Sequence, residues 1–366
     1  MNQEIISKYQ NREKICSLEE ADGIAFGFTK KGQEEYEYIP FKVPEPLDDE
    51  VLIKVKYTGI CHTDTLWSRG LWGDFVYYPC VPGHEIIGTV SKVGKSVKKL
   101  KVGDNVGFGF TANACGECHE CKSGHDNTCD VPNGVTFHKH FGGWASHYVG
   151  KEMHAHIIPK EIPLEKAANL FCAGVTVFAP LRRYVKAGMK VGVVGIGGLG
   201  HLAIQIASAM GAHVTGITGT KSKTEEILKL GASDVILSED IPKLEGKEVL
   251  DIILCCISDG DFNKYIKLLK KRGAFLMVGL PPADRPNKID INYVVLNEIV
   301  VSGSLVGNDD DIEYLLPFAA KYQTLPMVEL YSFDDFGKGV HRMENERPRY
   351  RVTVKCESKK YPKFFQ

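Results

Sequence analysis

The chain has 366 residues, 43% hydrophobic and 25% charged, with 45 basic against 46 acidic side chains and a net charge of −1. That length allows two domains, each burying its own core. The charge balance argues against a nucleic-acid or anionic-membrane partner, either of which calls for a basic face.

The N-terminal stretch MNQEIISKYQNREKICSLEE mixes both charges and has no apolar core, unlike a signal or transit peptide. No run approaches the roughly 18 apolar residues of a membrane span, so the sequence reads as cytoplasmic. Residues 21–110 carry short alternating or β-rich runs, EVLIKVKYTG, EIIGTVSKVG and DNVGFGF, punctuated by Gly, Pro and Asp; these predict an antiparallel β domain. Thr111 to Thr136 has no period and is dominated by Cys, Gly, Asn and Asp, as in a loop that needs an outside constraint. From about Val175 strands and helices alternate. KVGVV, HVTGIT and DVIL read as strands, with GHLAIQIASAMG and KTEEILKLG as helices stopped by Gly211 and Gly231. VLDIILCCI, a helix through Phe262–Lys271 and AFLMVGL continue the pattern, which predicts βαβ units and a parallel sheet. IEYLLPFAAKYQ and RYRVTVKC then give a helix and a strand that can rejoin the first domain.

Seven of the eleven cysteines fall between Cys61 and Cys172, a clustering that favours metal ligation over disulfides in a chain read as cytosolic. Cys115, Cys118, Cys121 and Cys129 are spaced C-x2-C-x2-C-x7-C. Four thiolates so close in sequence can wrap one tetrahedral Zn2+. A closed four-thiolate site has no open position for substrate, so this one is expected to be structural. An iron–sulfur cluster uses the same donors. A DNA-binding zinc module is disfavoured because KSGHDNT is not basic. His119 and His125 are redundant once the four thiolates are counted and read as solvated.

Cys61 follows a strand, VPGHE supplies His84 and Glu85 after a turn, and FCAGVT supplies Cys172. Singly, a cysteine is usually apolar filler and a histidine structural. Together, two thiolates and an imidazole leave a fourth zinc position open, as a catalytic site requires, with Glu85 as an alternate ligand or a group behind the ligands.

GIGGLG, with Gly195, Gly197, Gly198 and Gly200, follows the apolar KVGVV and opens a helix, the context in which this motif binds a dinucleotide pyrophosphate. About 20 residues on, an NAD site carries an acid for the ribose 2′-hydroxyl. Here Thr218 is followed by Gly219, Thr220, Lys221, Ser222 and Lys223. Hydroxyls and ammonium groups suit a 2′-phosphate, so NADP(H) is expected, although a solvated polar turn has the same composition.

GICHTD, PGHE, the four-cysteine loop, FCAGVT and GIGGLG, in this order, resemble the zinc-dependent medium-chain alcohol dehydrogenases, and most the cinnamyl alcohol dehydrogenase branch. The resemblance runs from about Glu37 to Cys356. It implies an α/β protein: a GroES-like β-rich catalytic domain over residues 1–177 and 317–366, and a Rossmann NADP-binding domain over 178–316. It places a catalytic zinc on Cys61, His84 and Cys172, with Glu85 alternate, and a second, structural zinc on the cysteine loop. It makes Thr63 the hydroxyl on the substrate oxygen, and Thr176, Gly279, Gly303, Ser304 and Leu305 nicotinamide-side contacts. It further implies a homodimer and NADP(H)-linked interconversion of primary alcohols and aldehydes, reduction favoured. Trp67, Leu71, Trp72 and Leu305 could line an apolar slot for aromatic or medium-chain substrates or be ordinary core. Leu66 departs from many relatives, which carry there a histidine that passes the proton to solvent. The competing expectation is a zinc-stabilised structural or binding protein with little turnover; a zinc-free enone reductase on the same scaffold fits neither metal motif.

Overall fold

The computed structural model describes residues 12–71, 76–131, 134–135, 140–244, 246–280 and 287–366. Trp72 and the first eleven positions therefore lie outside the described residues. Two compact units emerge: one runs to Cys172 and takes in Asn308–Pro317 and Met327–Gln366, and the other is Ala173–Gly307 with Phe318–Pro326.

In the first unit the strand Glu50–Ile60 organises a seven-stranded sheet. Its alternation brings Val51, Ile53 and Val55 into the core. One edge pairs antiparallel with Ile86–Val93; the other is shared between His147–Lys151 and Arg351–Lys355. Arg351–Lys355 also pairs with Val328–Ser332 within the first unit, whereas the helix Asp309–Tyr322 is divided, Asn308–Pro317 falling in the first unit and Phe318–Pro326 in the second. The core includes Phe41, Phe108, Trp144, Phe333 and Phe336, all 1% exposed or less. Burying each such side chain stabilises the fold by roughly 1.5–3 kcal/mol.

The second unit holds a six-stranded parallel sheet in the order Asp234–Leu237, His213–Thr218, Lys190–Val194, Leu250–Cys255, Leu269–Met277, Val300–Gly303. Its central strands are near-continuous apolar runs because a parallel sheet is covered on both faces. Strand order reverses between Lys190–Val194 and Leu250–Cys255, and such a switch point opens a crevice at the strands' C-terminal ends. One expectation is corrected. The helix through Phe262–Lys271 is confined to Asn263–Ile266, and Leu269–Lys271 belong to the next strand. Leu269 pairs with Leu250 across a register irregularity and is buried, so pairing and burial override the local helical pattern. Among the described residues no helix is long and apolar enough to cross a membrane.

Candidate active site and metal centres

Cys61 ends the run of Glu50–Ile60 and caps the seven-residue helix His62–Ser68. A helix that short does not persist on its own, and its first turn is fixed by Asp64. One Asp64 oxygen accepts the Cys61 N–H at 3.1 Å; the other accepts the Gly83 N–H at 3.0 Å and the His84 Nδ1–H at 2.8 Å. With Nδ1–H committed to Asp64, His84 keeps its lone pair on Nε2, the tautomer a ligating imidazole needs.

Cys172 arrives from a distant segment, its Sγ 4.0 Å from that of Cys61. Donor atoms of Cys61, His84, Glu85 and Cys172 all lie within 4.8 Å of one another. Zinc–sulfur bonds of about 2.3 Å give a tetrahedron with edges of about 3.8 Å, so the residues fit zinc in both donor type and spacing. The Cys61 thiol is held well below its ordinary value by the Cys172 hydrogen bond, against burial, and the Cys172 thiol is raised by the same contact. Burial opposes protonation of His84, but the Asp64 charge and hydrogen bond, with Cys61, raise it well above the usual value. A bound cation would take over this role and deprotonate the thiols.

Glu85 is fully buried and tied from behind by the Arg351 guanidinium and by Asn169, which itself accepts from Thr353 at 3.0 Å. Burial pushes its carboxyl up to about 7, with Arg351 opposing. The carboxylate fits only because residue 59 is glycine: a Cβ there would lie 1.8 Å from Glu85 Oε2. Thr63 sits on the first turn of the Cys61 helix, partly buried. Trp67 is 2% exposed, whereas Leu71 and Leu305 are 64% and 51% exposed.

The second cluster joins Cys115, Cys118, Cys121 and Cys129, again with sulfurs within 4.8 Å of one another. Cys115–Cys121 and Cys118–Cys129 are separated by 3.8 and 3.9 Å, tetrahedral-edge spacing rather than disulfide bonding, and all eleven cysteines are free. Backbone N–H groups of Cys115, Glu117, Cys118 and Cys121 donate to these sulfurs at 3.3–3.4 Å, as suits thiolates. The Cys118 thiol falls to about 6, chiefly through backbone N–H bonds from Asp130 and Cys121, whereas burial raises the Cys121 and Cys129 thiols. His119 and His125 are exposed and outside the cluster.

In the second unit GIGGLG bridges Lys190–Val194 and the helix Gly200–Ala209. Gly195 has φ +85°, and a Cβ on Gly200 would lie 2.2 Å from the Gly195 carbonyl, so both positions need glycine. Thr218 ends the neighbouring strand and accepts the Thr220 N–H at 3.1 Å. Lys223 Nζ reaches across to the Ile196 carbonyl at 2.7 Å, which brings the two loops together. Gly279 follows Leu269–Met277, Gly303 ends Val300–Gly303, and Ser304 donates to the Met277 carbonyl at 3.0 Å. Gly195, Thr218, Gly279 and Gly303 lie at or just past the C-terminal ends of parallel strands, Gly200 opens the following helix and Lys223 ends the helical turn Lys221–Lys223; Thr176 lies on the helix Ala173–Tyr184.

Sequence reasoning missed Asp64, Asn169 and Arg351. Asp64 had a signal, an acid at the third helical position after a polar cap. Arg351, 266 residues from Glu85, had none.

A family model for the alcohol dehydrogenase GroES-like domain matches residues 47–160, and one for zinc-binding dehydrogenase matches residues 198–321. The chain is 38% identical to the aldehyde reductase AdhA of Synechocystis sp. over 84% of this chain and 91% of that one. It is 36% identical to a probable cinnamyl alcohol dehydrogenase of Pinus radiata over 84% and 88% respectively. The cinnamyl alcohol dehydrogenase of Helicobacter pylori, solved in complex with NADP(H), superposes with a TM-score of 0.84 at 32% identity, covering 91% of this chain and 97% of that one. The chain therefore belongs to the zinc-binding medium-chain alcohol dehydrogenases, in their cinnamyl alcohol dehydrogenase-like branch of alcohol and aldehyde oxidoreductases.

Proposed function

We propose that this chain is an NADP(H)-linked, zinc-dependent oxidoreductase that interconverts primary alcohols and aldehydes, reduction favoured, on aromatic or medium-chain substrates. The observation that carries it is the convergence of Cys61, His84 and Cys172, with Asp64 fixing the imidazole. Zinc there supplies Lewis acidity toward the substrate oxygen, and the nicotinamide supplies or takes the hydride.

In this reading Cys61, His84 and Cys172 hold the metal, and Glu85, tied to Arg351, is the alternate ligand. Thr63 exchanges a proton with the substrate oxygen. Gly195, Gly197, Gly198 and Gly200 admit the pyrophosphate to the helix N-terminus. Thr218, Thr220 and Lys223 receive the 2′-phosphate, supported by hydroxyls and an ammonium where an NAD site has an acid. Thr176, Gly279, Gly303, Ser304 and Leu305 contact the nicotinamide half. The four-cysteine loop holds a second, structural zinc. Residues 1–177 with 317–366, and 178–316, are read as the catalytic and NADP-binding domains. A homodimer is supported by the strand Val300–Gly303, which ends its sheet, beside the helix Ile291–Leu296 with Ile291, Val295 and Leu296 64%, 66% and 81% exposed. The cytoplasm supplies the NADPH such a reductase uses.

The test is NADPH oxidation by the purified protein over an aldehyde panel, with and without chelator, beside a zinc count and an equal-concentration NADP-versus-NAD comparison. Two zincs and chelator-sensitive NADPH oxidation are expected. An NAD preference defeats the cofactor reading, and two zincs with no turnover on any aldehyde leaves a structural protein.

A further inference from the structure

The cysteine loop has no core of its own, yet two of its backbone groups are held by side chains from elsewhere in the first unit and one of its side chains by an outside backbone N–H. Ala114, just before Cys115, donates its N–H to His154 Nε2 at 3.3 Å. The Gly124 carbonyl accepts from Asn308 Nδ2 at 2.5 Å. The Asp126 carboxylate accepts the Asp309 N–H at 3.4 Å, while the Asp126 carbonyl accepts the Cys129 N–H at 3.1 Å. These points bracket Cys115, Cys118 and Cys121, and Cys129 is tied to the last of them through the Asp126 carbonyl.

His154 is held in turn by the residue that follows Asn308, Asp309. Its two oxygens take His154 Nδ1 at 2.6 Å and His156 Nε2 at 3.1 Å. Both imidazoles are buried, at 1% and 5% exposure, and His156 lies on the sheet strand His156–Ile157. Asn308 uses both ends of its amide: the oxygen accepts the Asp311 N–H at 2.7 Å and caps the helix that Asp309 begins, leaving the NH2 for Gly124. Asp309 thereby links the strand His156–Ile157 to His154 and, through it, to the cysteine loop.

Donor atoms of Asp126, His154 and Asp309 are close enough to suggest a third metal site. Hydrogen bonding argues otherwise. His154 Nε2 accepts from Ala114, so its proton is on Nδ1 and is given to Asp309, which leaves no lone pair facing the cluster.

We propose that Asp309 is a positioning residue for the four-cysteine metal site, its carboxylate orienting His154, which holds the loop backbone at Ala114 beside Cys115. The proposal rests on the reading of that loop as a zinc site. It predicts that loss of Asp309 loosens the loop metal and leaves the Cys61–His84–Cys172 set alone.

The experiment follows zinc transfer from the holoenzyme to a chromogenic chelator, alongside the count of thiols reactive to a disulfide reagent; Cys115→Ser identifies the phase belonging to the loop. In Asp309→Ala the loop phase should accelerate roughly tenfold or more, the usual effect of removing a group that supports metal ligands. The other zinc should leave at the parental rate, and freshly loaded protein should keep parental turnover. Asp309→Asn, which retains an oxygen for His154–H, should accelerate the loop phase less and covers the case in which the alanine variant fails to fold. A loop metal released no faster in either variant overturns the proposal, as does equal acceleration of both zincs or loss of a third metal. If Cys115→Ser does not lower the zinc count, the loop reading itself fails and the proposal falls with it; two parental zincs with an unaltered Asp309→Ala loop phase defeat the proposal alone.

Discussion

Asp64→Asn tests how the active-site imidazole is fixed. The carboxylate accepts three N–H groups on two oxygens: Cys61 on one, Gly83 and His84 on the other. An amide has a single acceptor oxygen, so in either flip its NH2 faces a backbone N–H. Turned toward Cys61, it orphans one buried donor; turned the other way, it orphans the Gly83 donor and pushes His84 toward the wrong tautomer. Leaving a buried donor unpaired costs about 1–3 kcal/mol. Losing the oriented imidazole lowers metal affinity roughly 10–100-fold, or about 1.4–2.8 kcal/mol. Because Asp64 is 0% exposed, water cannot replace the lost acceptor. The assay is competitive zinc titration beside thermal unfolding of the metal-loaded protein. Parental zinc affinity together with an unshifted melting temperature would refute the reasoning, since the orphaned donor and the freed ring must show in one or the other.

Cys61→Ala or His84→Ala should abolish turnover, whereas Cys115→Ala should mainly lower the melting temperature; near-parental turnover in Cys61→Ala would sink the zinc mechanism. Leu66→His should raise the rate and shift its pH profile if proton exit limits turnover, and an unchanged profile would show that water or His62 already completes the relay. His147 is pushed from its ordinary 6.5 down to about 4, first by burial and then by Lys54. Below pH 6.5 the unfolded chain binds a proton that the folded chain refuses. This contribution is therefore complete above that pH and is lost as pH falls toward 4, by up to about 3 kcal/mol. Denaturant titrations across that window should show a shallower decline in His147→Gln, and identical slopes would contradict the assignment.

What could be read from the chain was whatever is local. The C-x2-C-x2-C-x7-C loop and GIGGLG carry their own spacing, because a tetrahedron of thiolates and a glycine turn into a helix are each built within one short segment. Alternating strands and helices likewise predicted the parallel sheet, failing where Leu269 exchanged helix for a buried strand position. The open site was legible only as scattered candidates. Cys61 and Cys172 stand 111 residues apart, and no periodicity brings their sulfurs to 4.0 Å. Only the tertiary structure decided that Arg351 would bind Glu85 from behind, that Gly59 would clear room for that carboxylate, and that Asp309 would join two buried histidines to the cysteine loop. The reason is physical. A buried charge must find a partner wherever the packed chain presents one, and that position is set by sheet pairing across hundreds of residues rather than by neighbours in the sequence.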